Sequence, residues 1–261
     1  MSDEFRCSVA SAGQAEPIAG TAPSAAEFLL VEYLGSWGRL AVEQSRLPER
    51  VKAHLADLTA TRGTAVHLIR HHRGVPDGEG VRVFRAVADA EGFGVGTTVL
   101  TSVEDLVDLD LDDPAAFTSH EAPLWLVCTN GSRDRCCAEI GRPVTTALAR
   151  RWPAETWEIT HLGGHRFAGT LLALPSGHTL GRLTGDSAVE AVAQVEAGGV
   201  PVELSRGRAG RPGAEQVLEL HLLAGGSPDV TVVAEPGPAR RQSCGDDKVK
   251  ATTRYVLTPR T

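Results

Sequence analysis

The chain has 261 residues, 42% of them hydrophobic and 23% charged, the composition of a soluble globular protein with room for one large domain or two small ones. Lys plus Arg number 26 against 33 for Asp plus Glu, and the formal net charge of -7 excludes the basic footprint of a nucleic-acid-binding protein. No apolar run approaches the roughly 20 residues that span a bilayer, and the acidic start Met1-Ser2-Asp3-Glu4 lacks the basic region and apolar core of a signal peptide, so a cytoplasmic protein with no membrane partner is expected.

Residues 27–34 (EFLLVEYL) read as a buried strand, and Leu47, Val51, Leu55 and Leu58 follow helical spacing between Pro48 and Gly63. VHLIRHH (66–72) and VRVFRAV (81–87) read as strands across the turn GVPDGEG (74–80), and SVEDLVDL (102–109) as a helix. The acidic stretch 108–113 ahead of Pro114 marks a boundary. The order then repeats: strand LWLVCT (124–129), the polar loop NGSRDRCC, a helix starting at Pro143 and ending near Trp152, and strand WEITH (157–161) running into LGGH. LLALPSGHTLGRL (171–183) reads as a hairpin turning at Ser176-Gly177, with His178 a hairpin residue. The next helix is expected to have a capping box of Ser187 and Glu190 and to close at Gly198-Gly199. Beyond 201, a helix over 214–223 and strands over 230–235 and 253–259 complete the series.

The five cysteines, Cys7, Cys128, Cys136, Cys137 and Cys244, are an odd number, which argues against a disulfide framework and for metal binding or redox chemistry. Cys128 and Cys137 flank a loop of eight residues, and His161 and His165 flank three that include Gly163-Gly164. Two adjacent glycines cost about 1 kcal/mol each in a helix and favour a tight turn, so both pairs belong to loops. Cys128 and His161 each end a strand; if those strands are parallel neighbours, both loops reach the same sheet edge. Taken singly, a buried Cys reads as a small core residue and a His as a satisfied polar one. Zinc suits two Cys and two His, although its cysteine pairs are typically two to four residues apart. Spacing alone leaves an iron-sulfur cluster, a zinc ion and no metal open.

CTNGSRDRCCAEIGRP (128–143), HLGGHRFAG (161–169) and LPSGHTLGR (174–182) resemble the sucrase/ferredoxin-like family, with weaker echoes in EPIAGTAP (16–23), RGRAGRP (206–212) and SCG (243–245). The resemblance implies a 2Fe-2S cluster held by Cys128, Cys137, His161 and His165, where thioredoxin-like ferredoxins use four cysteines. It favours Cys137 over Cys136 as the second thiolate. The expected fold is α/β: an N-terminal α/β region (1–120) that follows a similar, thioredoxin-like plan, a thioredoxin-like ferredoxin domain (121–200), and a C-terminal extension (201–261) packing on the core. The expected function is one-electron transfer with a redox partner protein. The alternatives are a thiol-dependent redox enzyme using Cys136 or Cys137, and a structural zinc module for protein interaction. Arg133, Arg135, Arg142 and Arg166 flank the pairs, either as a solvated loop surface or as cations facing the cluster or an acidic partner. Arg133 and Asp134 are a possible pair, and Cys7 and Cys244 are expected to be structural or incidental.

Overall fold

The computed structural model describes residues 4–72 and 78–260; Met1, Ser2, Asp3 and the 74–77 part of the expected turn lie outside the described residues. The first half contains α1 (Cys7–Gly13), β1 (Glu27–Glu32), α2 (Glu49–Arg62), β2 (Ala65–His71), β3 (Val81–Ala88), β4 (Phe93–Leu100) and β5 (Thr118–Ser119). The second contains β6 (Leu124–Cys128), α3 (Arg135–Arg151), β7 (Thr156–Ile159), β8 (Leu171–Leu174), β9 (His178–Leu180), α4 (Gly185–Glu196) and β10 (Ser205–Arg208). Then come α5 (Gly213–Leu223) and a hairpin of β11 (Val230–Ser243) and β12 (Asp246–Pro259).

Ten strands form one mixed sheet in the order β10-β9-β8-β6-β7-β2-β1-β3-β4-β5. In the first half β1 and β2 run parallel across α2, β3 lies antiparallel to β1, and β4 to β3. In the second, β6 and β7 run parallel across α3, β8 lies antiparallel to β6, and β9 to β8. One connectivity is therefore used twice, and the copies meet where β2 and β7 pair antiparallel with Ile69 opposite Ile159. Ile69 is also the partner of Glu32, the last residue of β1, and Ile159 of Cys128, the last residue of β6. Corresponding residues thus face each other at the midpoint of the sheet.

Alternation along each strand separates two faces. Leu29 and Val31 pack with Val51, Leu55 and Leu58 of α2, while Trp125 and Val127 pack with Val144 and Leu148 of α3 and Val192 of α4. Phe28, Leu30, Leu124, Leu126 and Cys128 point the other way, into a cluster with Ile69, Phe84, Trp157 and Ile159 that crosses both halves. Each such large side chain removed from water contributes about 2 kcal/mol, so the two copies share the core that holds the sheet together. Among the described residues no helix is long and apolar enough to cross a membrane.

Several boundaries differ from expectation. α3 begins at Arg135, capped by the Asp134 side chain, and Pro143 lies inside it; the packing of Cys136, Cys137 and Gly141 outweighs the lost backbone donor of an internal proline. α4 is capped by Thr184 with Ser187 in the reciprocal role, not by Ser187 with Glu190. Residues 103–108 form a 3-10 turn with its own capping box of Ser102 and Asp105, rather than an α-helix. β4 was masked by its two glycines, and the terminal hairpin extends through a charged stretch that hid its length.

His178 on β9 is buried, and burial, aided by Arg208, pushes its imidazole pKa from 6.5 down to about 4. The unfolded chain therefore takes up a proton that the folded chain refuses, so this contribution to stability is complete above pH 6.5 and is lost on acidification toward pH 4. We expect His178→Gln to flatten the loss of stability between pH 7 and pH 5 in urea denaturation; equal losses in both proteins would refute this origin.

Candidate metal centre

The parallel pairing of β6 and β7 puts the end of each strand at one sheet edge. Cys128 closes β6, and β7 ends at Ile159, two residues before His161. The loop after Cys128 is short and self-bonded: the Asn130 side chain accepts from Arg133 N–H at 3.2 Å, and Asp134 Oδ1 from Cys136 N–H at 3.1 Å. Cys136 and Cys137 therefore occupy the first turn of α3, at the positive end of the helix dipole, with their N–H groups held by Asp134. Successive helical residues point about 100° apart, which sends the two thiols to different neighbours. Cys137 faces Cys128 and His161, while Cys136 faces Cys7 and Cys244. One turn on, a Cβ at Gly141 would meet the Cys128 carbonyl oxygen, so glycine sets how closely α3 approaches β6.

Gly163 and Gly164 both have left-handed backbones, with φ of 77° and 68°, and turn the chain between the histidines. His161 Nδ1 lies 4.0 Å from Cys128 Sγ and 3.9 Å from Cys137 Sγ, and the three candidate donor atoms are all within 4.8 Å of one another. His165, on the 3-10 turn His165–Phe167, sits one step outside this group. Its Nδ1 is 3.2 Å from His161 Nε2 and its Nε2 is 3.9 Å from Asp134 Oδ2. The structure thus gathers Cys128, Cys137 and His161 and places His165 beside them.

The electrostatics are those of a buried pair of thiols beside a cation. The hydrogen bond from Cys137 holds the Cys128 pKa well below the ordinary thiol value against burial, with His161 helping, and the same contact together with burial pushes Cys137 well above it. One proton is in effect shared between the two sulfurs. Arg206, fully buried, donates to the Gly163 carbonyl at 3.1 Å, to Thr21 Oγ1 at 3.1 Å and to the Thr21 carbonyl. Burial lowers its pKa to about 10, with Cys128 opposing, so it remains charged at neutral pH. His67, across the β2–β7 seam from the His161 loop, contacts Thr160 Oγ1 at 3.2 Å, and burial brings it down to about 4, leaving it neutral.

Sequence reasoning missed Asp134, Arg206 and His67. Arg206 lies within RGRAGRP, but nothing local marks it as buried, and His67 is hidden among the histidines of VHLIRHH. Of the flanking arginines, Arg166 pairs with Glu16 at 2.9 Å and Arg135 with Glu4 and Glu139, while Arg142 is exposed. Asp134 commits its carboxylate to Cys136, to Ser243 Oγ and to Cys244 N–H, the latter two at 2.8 Å, in place of the expected pairing with Arg133. Cys7 and Cys244, expected to be structural or incidental, meet Cys136.

Fold and site together define an α/β protein whose Cys, His and Asp groups can bind a metal ion. The chain belongs to the sucrase/ferredoxin-like family, whose model matches residues 18–207. It is similar to altered inheritance of mitochondria protein 32 of Candida glabrata, with 36% identity over 86 residues, which is 31% of this chain. The chain spans 27% of that relative's length. No solved structure matches it.

Gly→Ala inside a helix ordinarily stabilises by about 1 kcal/mol, but a methyl group forced onto backbone costs about 1–3 kcal/mol. Gly141→Ala should therefore destabilise the fold by about 1–2 kcal/mol in chemical denaturation and weaken metal retention by displacing α3 from Cys128. A stabilised variant would show that α3 has room to move.

Proposed function

We propose that this chain is a one-electron carrier that holds a 2Fe-2S cluster through Cys128, Cys137, His161 and His165 and exchanges electrons with a redox partner protein in the cytoplasm. The observation that carries the reading is the convergence, at the shared edge of β6 and β7, of two buried thiols and the His161–His165 pair. The donor set suits the group: thiolates for one iron and imidazoles for the other, as the family membership also suggests. A thioredoxin-like plan for each half is part of the same proposal, supported by the repeated series of strand, helix, parallel strand and antiparallel hairpin.

Such a cluster, when bound, supplies reversible one-electron chemistry whose potential depends on ligands, hydrogen bonds and solvent exposure. This chain's own residues hold and shield it. Arg206 fixes the Gly163 loop and adds buried positive charge, and Asp134 lies where it can orient His165. The burial of Cys128, Cys136 and Cys137 weighs against a thiol enzyme, because a nucleophile must be reached by its substrate.

A specific observation favours a second reading. Cys–His separations of 3.9 and 4.0 Å approach the spacing of donors around one tetrahedral ion, which supports mononuclear zinc as the competitor. Absorption spectra with iron, sulfide and zinc analysis separate the two. We expect red-brown protein with about two irons and two labile sulfides per chain, abolished by Cys137→Ser and largely kept in Cys136→Ser. Zinc at this centre without sulfide would establish the second reading.

A further inference from the structure

We propose that Cys7, Cys136 and Cys244, with Asp134, form a second metal site that takes Zn2+ and clips the two ends of the chain to α3. The three thiols come from three distant segments: the start of α1, the first turn of α3 and the turn between β11 and β12. Cys136 Sγ lies 3.2 Å from Cys244 Sγ, Cys244 Sγ 3.5 Å from Cys7 Sγ, and Cys7 Sγ 3.4 Å from Asp134 Oδ1. All four donor atoms fall within 4.8 Å of one another, and only Cys244 is more than slightly exposed.

These sulfurs are too far apart for a disulfide of about 2.05 Å, and a single disulfide would leave the third thiol unpaired. Thiolates about 2.3 Å from a tetrahedral zinc ion sit roughly 3.8 Å from one another, so modest rotations open this cluster around an ion. Hydrogen bonds are already aimed at the sulfurs, as they are around metal-bound thiolates: Ser8 Oγ donates to Cys136 Sγ at 3.1 Å and Cys7 N–H to Cys244 Sγ at 3.3 Å. Zinc binding takes the three sulfurs as thiolates, releases to solvent the protons that Cys7 and Cys244 still carry, and moves no electrons. Loss of the Cys7 proton leaves Asp134 Oδ1 with its capping bond from Cys136 N–H and a second lone pair for the ion, while Oδ2 keeps its bonds from Ser243 and Cys244. Arg6 and Arg241, beside Cys244, and Arg166, beside Cys7, lie close enough to offset the excess negative charge. Cys7 and Cys244 lie outside the family match at 18–207, in the terminal segments that this site would join.

The test is the metal content of wild-type, Cys7→Ser and Cys244→Ser proteins purified from zinc-supplemented cells. Each variant should carry about one zinc fewer per chain than wild type, with iron and sulfide unchanged. Because the difference rather than the total reports on this site, a zinc-filled first centre would leave the result intact. In wild-type protein, peptide mapping after iodoacetamide should show Cys244 protected until EDTA is added, which decides the matter if the variants fail to accumulate. Equal zinc in all three proteins, Cys244 alkylation indifferent to EDTA, or a disulfide between any two of the three cysteines would overturn the proposal.

Discussion

The parallel register of β6 and β7 is the constraint on which the candidate centre depends. Parallel neighbours bring their C-terminal ends to one edge and require a crossover between them. Here the crossover is α3, entered after only six residues, 129–134, so its N-terminus opens at the same edge. A strand end, a helix start and a second strand end are thereby stacked at one place. Cys128, Cys137 and His161 occupy those three positions, with the positive end of the α3 dipole beside them.

Asp134 couples that edge to the rest of the molecule. A buried carboxylate is costly unless it is well bonded, and here hydrogen bonds from Cys244 and Ser243, aided by nearby His165, outweigh burial and hold its pKa at about 2. Its bonds cap α3 and anchor the turn between β11 and β12. Since α3 carries both Cys136 and Cys137, the carboxylate that fixes this helix start also fixes the angle at which the two thiols diverge. It stands between His165 on one side and Cys7 and Cys244 on the other.

The strands that pair around the centre were legible because their apolar runs are uninterrupted, as in LWLVC and the segment 27–34, and the prospect of parallel neighbours followed from a thiol and a histidine each ending a strand. The separation of Cys136 from Cys137 required a helix phase, and the proline at 143 misplaced the helix start by eight residues, hiding the Asp134 cap. The meeting of Cys7 with Cys244 spans nearly the whole chain and has no local signature. Arg206 shows the same limit: in sequence it is a surface-type residue, and only the packing of β10 over the Gly163–Gly164 turn makes it a buried cation.

The repeated connectivity raises the question of why one copy carries the centre and the other does not. Glu32 stands in β1 where Cys128 stands in β6, buried and accepting a hydrogen bond from Arg82 N–H. The link from β1 to α2 runs over 33–48, and α2 starts at Glu49 behind Pro48 without a side-chain cap, so no short capped loop presents helix-borne thiols there. The ring of Trp37 from that long link lies under Arg70 at 4.1 Å, giving the edge over to packing. Because β2 and β7 are antiparallel, this edge lies at the opposite end of the sheet from the centre, and the first copy approaches the centre from the start of β2 instead. There it brings His67, half-buried and neutral, against the strand leading to His161. One copy thus carries the candidate centre, and the other pairs with the β7 edge beside it, which a single copy would leave open.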